Sequence, residues 1–499
     1  MKKMKKIKQI SYLSTLVIII GTTVGAGIFF KNAELFRQAQ GNLWYVLSSW
    51  IVAGIAMIAF GIAIMELISA SKTNRGTLEW FKKFLPKWLA SSSTNYVHIL
   101  FIPVTLFTMP LYVVETWQEA GMYSNNDFIP WIMGIIIFLW IAGVSFISLK
   151  ASERFQWLIT AIKFIPVIVV PLIAIVGTGN FEDGNVTITD HVAATGTKDG
   201  LLGISPAIIL IGGIPAISFA FDGFYEASSL RNDMKNPKQN GSAIVVGVSI
   251  ILAIYIFMTI AFTLGSGDGT IDSIKGMSAK TKQAMNVLVG FGILGIVNGY
   301  TMASIEQSAS LEEEGLSPIM TYLRKGLARI GLKNHSTRIN AWIFIVLSGL
   351  IYSIFFGLIG IYAWNTNDYS FNPGGNGALY TFADALVNYT SLLMFALIAL
   401  AVVWAMINRF TKKVKVSKTK FFWPAAIISS TIILAGAVFQ FVVGFVDATG
   451  YNGSNQSDAI IKLCIFFGII LISAILGLVQ NKYWSIEKHK MLQSDTKID

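Results

Sequence analysis

Apolar residues along this chain run for about twenty positions at a time before charge interrupts them, enough for a helix to cross a ~30 Å hydrocarbon layer. These runs predict spans near 11–30, 43–69, 96–118, 130–149, 155–178 and 203–229, then near 242–265, 284–309, 340–363, 382–407, 421–446 and 458–480. The predicted fold class is an all-α membrane protein of about twelve transmembrane helices, with no room for a sizeable soluble domain. Twelve crossings put both termini on one side.

Basic residues test that count, because a missed or invented helix would invert every later loop. Of 38 Lys and Arg, 30 lie in the N-terminus, in alternate connectors and in the C-terminal segment. The opposite loops receive Lys31, Arg37, Lys198, Lys275, Lys280 and Lys282, while Lys163 and Lys462 fall within spans. By the positive-inside rule both termini are cytoplasmic, which predicts a multi-pass protein of the cell membrane. The loop from Gly179 to Gly200 carries Glu182, Asp183, Asp190 and Asp199 and reads as a solvated outer connector.

Composition agrees: 54% of residues are hydrophobic and 13% charged, against about a quarter charged in soluble domains. The net charge of +11 sits in short clusters between apolar runs, without the aromatic interleaving of a nucleic-acid groove, so no nucleic-acid partner is expected. The single cysteine, Cys464, rules out an internal disulfide framework and a cysteine metal cluster. Five lysines before the first run, with no small-residue cleavage motif after it, predict a retained first span rather than a signal peptide.

Two spans depart from the plain apolar pattern. The first reads Ile20-Gly21-Thr22-Thr23-Val24-Gly25-Ala26-Gly27-Ile28-Phe29, and the sixth reads Gly212-Gly213-Ile214-Pro215, then Phe219-Ala220-Phe221-Asp222-Gly223-Phe224. Small residues in membrane helices often serve only close packing. Two interruptions five spans apart point instead to a transporter with inverted repeats and a midplane site. Unwinding frees backbone groups that hydrocarbon cannot satisfy, so such a break persists only where it lines protein or a wet cavity. Freed amides at Val24 to Gly27, at the positive end of a half-helix, suit a carboxylate, and freed carbonyls near Phe219 to Asp222 suit an ammonium. Together they describe the head of an amino acid.

These residues resemble the amino acid-polyamine-organocation superfamily of permeases. The matching motifs are Gly25-Ala26-Gly27-Ile28-Phe29 in the first span, and Phe221-Asp222-Gly223-Phe224 through Lys235-Asn236-Pro237-Lys238 after the sixth. Met65-Glu66-Leu67, Gly299-Tyr300-Thr301 and Glu314-Gly315-Leu316-Ser317-Pro318 add to it. The sixth-span segment looks like the glutamate and aminobutyrate antiporters and the first span like general permeases. The resemblance implies a five-plus-five inverted-repeat, LeuT-like core plus two extra helices. The cytoplasmic N-terminus would occupy 1–10, the repeats 11–178 and 201–407, the added helices 420–480 and the cytoplasmic tail 481–499. It also implies that Phe219 falls where some members place an aromatic gate and Tyr300 where they divide the pathway with an aromatic. The candidate substrate-binding residues are thus Thr23, Val24, Gly25, Ala26, Gly27, Phe219, Ala220, Phe221, Asp222, Gly223 and Tyr300.

Charge inside a membrane is costly, so each such residue is a functional candidate. Glu66, Glu306 and Lys462 lie near span ends, where they can snorkel or cap. Lys163 sits deeper. By the resemblance its ammonium takes the place of a sodium ion and contacts carbonyls of the broken first span, which implies sodium independence. Asp222 reads equally as a cap on the resumed helix or as a substrate contact. Lys163 and Glu226 are the coupling candidates, with protons as the ion.

The expected function is secondary active transport of a small-molecule amino acid by alternating access, proton-coupled or by exchange and independent of sodium, with uniport, exchange and proton symport not separated by these residues, the lipid bilayer as surroundings, no cofactor and no metal. An enzyme would need acid, base or metal clusters, and His98, His191, His335 and His489 are scattered. A transporter-fold nutrient receptor, a non-transport membrane protein or a channel remain as alternatives, although no repeated filter motif favours a channel. The substrate side chain and the oligomeric state are left open by these residues.

Overall fold

The computed structural model describes residues 11–495, apart from 40–41, 72–74, 124–127, 148, 178–206, 266–268, 314–316, 332–335, 365–376 and 451–455. The basic stretch 1–10 and the acidic loop 179–200 therefore lie outside the described residues. The described residues form helices and no β-strand.

Among the described residues ten helices are long and apolar enough to cross a membrane, and a bent pair, Tyr12–Thr23 with Ala26–Phe36, makes an eleventh if it is one span. The sixth expected run is met by shorter pieces: Ala207–Gly212, Ile214–Ala220 and a 3-10 helix over Phe224–Asp233. Capping residues set several starts. Ser11 accepts from Ser14 N at 3.1 Å, Asn42 from Trp44 N at 3.0 Å, and Ser336 from Ile339 N at 3.3 Å. Two short helices, Thr77–Phe84 and Pro318–Arg329, join spans on the side that carries most of the basic connectors.

Packing is organised around the breaks. Leu43–Ala70 lies against Asn240–Gly265 and Phe422–Ala448, and Ala279–Glu313 against Ile102–Glu119 and Leu149–Gly177. The short Ile214–Ala220 helix is held by Gly377–Thr411 and by Ala26–Gln38. Behind the breaks Trp50, Phe221 and Tyr255 form a buried aromatic cluster, with Phe221 and Tyr255 edge to face at 5.2 Å. The outer surface is apolar: Ile136, Trp140, Leu172, Ile351 and Leu471 all point outward, as a lipid-facing belt requires.

Two expectations about charges and one about a helix end need correction. The helix begun at Ala26 runs to Gln38, so Lys31 is not a loop residue but a fully buried one. Glu66 does not snorkel: its buried carboxylate accepts from Arg409 at both oxygens, at 2.7 and 2.5 Å, and from the backbone N–H of Thr419 at 3.2 Å. The last helix continues through Gln456–Asp495, past the expected end near 480.

Candidate functional site

The first break occurs because Val24 adopts an extended backbone between two helices whose axes differ by 47°. Here the chain meets the second break directly. A Cβ on Gly27 would stand 2.4 Å from the Cα of Ala220, so only glycine lets the two backbones approach. Gly223, at φ +99°, lies under the carbonyl of Thr22, where a Cβ would come within 3.1 Å. Both interruptions therefore belong to one site.

The polar groups freed by unwinding have specific partners. Lys163 Nζ, from Leu149–Gly177, donates to the carbonyls of Gly21 and Val24, the latter at 3.0 Å. Tyr255 Oη bridges the breaks, donating to Ala220 O at 2.6 Å and lying 3.3 Å from Thr23 O. Phe219 O accepts from Asp222 N at 3.0 Å. These contacts occupy the carbonyl ends. The amides at Gly25, Ala26 and Gly27 stand at the opening of the second half-helix, where no i−4 carbonyl is available. The buried hydroxyls of Thr23 and Ser218 have no hydrogen-bond partner among the described residues.

The Asp222 carboxylate meets the backbone N–H of Gly223, which opens the resumed helix, and the hydroxyl of Tyr300. It accepts from Tyr225 Oη at 2.5 Å and from Ser391 Oγ at 2.8 Å, fastening the break to Gly377–Thr411. Phe221 turns into the aromatic cluster behind the site, away from any open space. Phe219 faces the other way and stacks on Tyr112 at 5.7 Å, while Phe30 packs on the same tyrosine at 4.8 Å. Lys31 Nζ lies 5.0 Å from the Phe219 ring centroid.

That lysine anchors a network over the aromatic layer. It pairs with Asp384 of Gly377–Thr411 and, at 3.2 Å, with Glu34. Tyr112 Oη donates to Asp384 at 2.5 Å, and Asn388 Nδ2 reaches Glu34 at 3.3 Å and Asp384 at 3.4 Å. On the opposite side of the breaks is a cavity of about 80 Å³, bounded by Thr22, Gly223, Glu226, Tyr300 and Gln307. Tyr300 stands edge-on to Phe101 at 6.2 Å, and Gln307 Nε2 donates to Glu226 at 3.3 Å. A wide π turn at Tyr96–Phe101 brings Val97 and Phe101 to the same wall.

Sequence reasoning missed Lys31, Tyr112, Tyr255, Asp384 and Ser391. A tyrosine or serine in an apolar run reads as packing, and Lys31 and Asp384 stand where a charge reads as a span end.

A lipid-faced bundle of long apolar helices, with paired interruptions around a central cavity, is a membrane transporter. The solved manganese transporter of Eremococcus coleocola, in complex with an aromatic bis-isothiourea substituted compound, shares this fold: the TM-score is 0.51 over 94% of this chain and 93% of that one, at 11% identity. The chain belongs to the amino acid permease family, whose model matches residues 10–472. An uncharacterized protein of Mycoplasma pneumoniae is 28% identical over 90% of this chain and 87% of its own length. The serine/threonine exchanger SteT of Bacillus subtilis is 23% identical over 62% and 69%.

Proposed function

We propose that this protein moves amino acids across the cell membrane by alternating access, as an exchanger or a proton-coupled carrier that does not use sodium. The observation that carries the reading is the meeting of the breaks, Gly27 against Ala220 and Gly223 under Thr22, with the carbonyls of Gly21, Val24 and Ala220 already occupied. The remaining polar groups include the amides of Gly25 to Gly27 and the unpartnered hydroxyls of Thr23 and Ser218 as donors, and the carbonyls of Phe221 and Asp222 as acceptors. Donors at the positive end of a half-helix bind the substrate carboxylate, and the carbonyls of Phe221 and Asp222 receive its ammonium.

Lys163 supports sodium independence, since its ammonium already occupies two carbonyls that a sodium ion would need. The name of the Bacillus subtilis relative favours exchange. Phe219, Tyr112 and the Lys31–Asp384 pair close one side, and Tyr300 stands on the cavity of the other, so transport alternates between breaking the first group of contacts and closing the second. The loop charges support twelve spans with both termini in the cytoplasm, and the family resemblance supports a five-plus-five inverted-repeat core with two added helices.

Gly25 offers the cleanest test. Its Cβ would lie 2.2 Å from the Cδ1 of Ile296, so Gly25→Leu fills the site from within. The variant is expected to insert and purify normally but to lose amino acid binding in a scintillation proximity assay. Unchanged affinity would remove the first break from the site.

A further inference from the structure

Resting on the transport reading, we propose that the substrate is a cationic amino acid whose side-chain ammonium or guanidinium pairs with Glu226. Of the side chains lining the cavity beside the breaks, Glu226 is the charged one. Its carboxylate accepts from Gln307 Nε2, and among the described residues no Lys, Arg or His pairs with it. A carboxylate offers about four lone-pair sites, and Gln307 fills one of them.

Other charges near the breaks are already engaged. Asp222 is held by Tyr225 and Ser391, and Lys163 by the carbonyls of Gly21 and Val24. Glu226 therefore has no counter-charge at hand, and an isolated carboxylate within a membrane protein is costly until a cation joins it. It stands three residues beyond Gly223 on a 3-10 helix, a rise of roughly 6 Å. An extended lysine or arginine side chain covers that distance when its α-carboxylate and α-ammonium sit on the breaks.

The approach from the opposite side has the same sign. Lys31 is held between Glu34 and Asp384. Two carboxylates against one ammonium favour cations along the path and repel acidic amino acids. The two sides are built from different helices, so the acidic bias does not come from one local cluster.

Purified protein reconstituted in liposomes tests this with radiolabelled arginine, lysine, leucine and glutamate. Arginine and lysine uptake is expected, blocked by excess unlabelled arginine and not by glutamate. Glu226→Gln is expected to raise the arginine Kd of the folded, detergent-solubilised protein by about tenfold or more, with Glu226→Asp recovering part of the loss. Equal arginine affinity in Glu226→Gln would overturn the pairing. Leucine uptake indifferent to arginine would overturn the substrate class while leaving transport intact, as would leucine uptake whose proton dependence vanishes in Glu226→Gln. Folded protein that binds none of the four would instead overturn the transport reading.

Discussion

Gly27 has the backbone of Ala220 where a side chain would go, and Tyr255 holds the carbonyl of that same alanine. One residue brings the two interrupted spans together and the other keeps them there. Tyr255 is fully buried, and its hydroxyl bridges carbonyls that hydrocarbon could not satisfy. Tyr255→Phe leaves the ring packing on Trp50 and Phe221 but strands those carbonyls, which is expected to cost about 1–3 kcal/mol. A thermal unfolding curve in detergent reads this as a lowered midpoint with unchanged secondary structure; an unshifted midpoint would mean that other groups satisfy the carbonyls. The tyrosine had no sequence signal, since aromatic residues are common in apolar runs. Glycines at 25 and 27 did, because three glycines within seven residues weaken a helix at a recognisable place.

Among the elements, the second half-helix, Ala26–Gln38, carries most of what the sequence hid. Its start was legible from Gly25 and Gly27. Its end was not, because Lys31 and Arg37 stand where charge ordinarily marks the membrane surface. What permits a charge there is Asp384, 353 positions later, and no local pattern joins the two. Phe221 shows the opposite failure: the motif places it in the break, but motifs do not say which way a side chain turns, and it packs behind the site. The Lys31–Asp384 pair ties this half-helix to Gly377–Thr411, so Asp384→Asn leaves a buried ammonium poorly compensated. A loss of up to about 3 kcal/mol in unfolding stability is expected, most of it recovered when Lys31→Met is combined with Asp384→Leu. Thermal melts of Lys31→Met, Asp384→Leu and the double variant check this; additive losses would show that the residues do not act as a pair.

At the scale of the whole molecule, alternating basic connectors and long apolar runs made the helical membrane fold readable before any contact was known. The sixth run, interrupted by Gly212-Gly213, Pro215 and Asp222-Gly223, is the one built from short pieces. Architecture alone does not choose the cargo: a manganese transporter shares this fold at 11% identity, so function has to be argued from the site. The proposed site is backbone from two interrupted helices, with Phe219, Tyr112 and Lys31 on one side and a cavity on the other. The measurement that tests this account most directly is uptake of radiolabelled amino acids into proteoliposomes in sodium-free buffer, with and without amino acid preloaded inside or an imposed proton gradient. The account predicts accumulation without sodium, stimulated by preloading or by the gradient. Uptake that requires sodium, or no amino acid uptake by folded protein under any of these conditions, would contradict it.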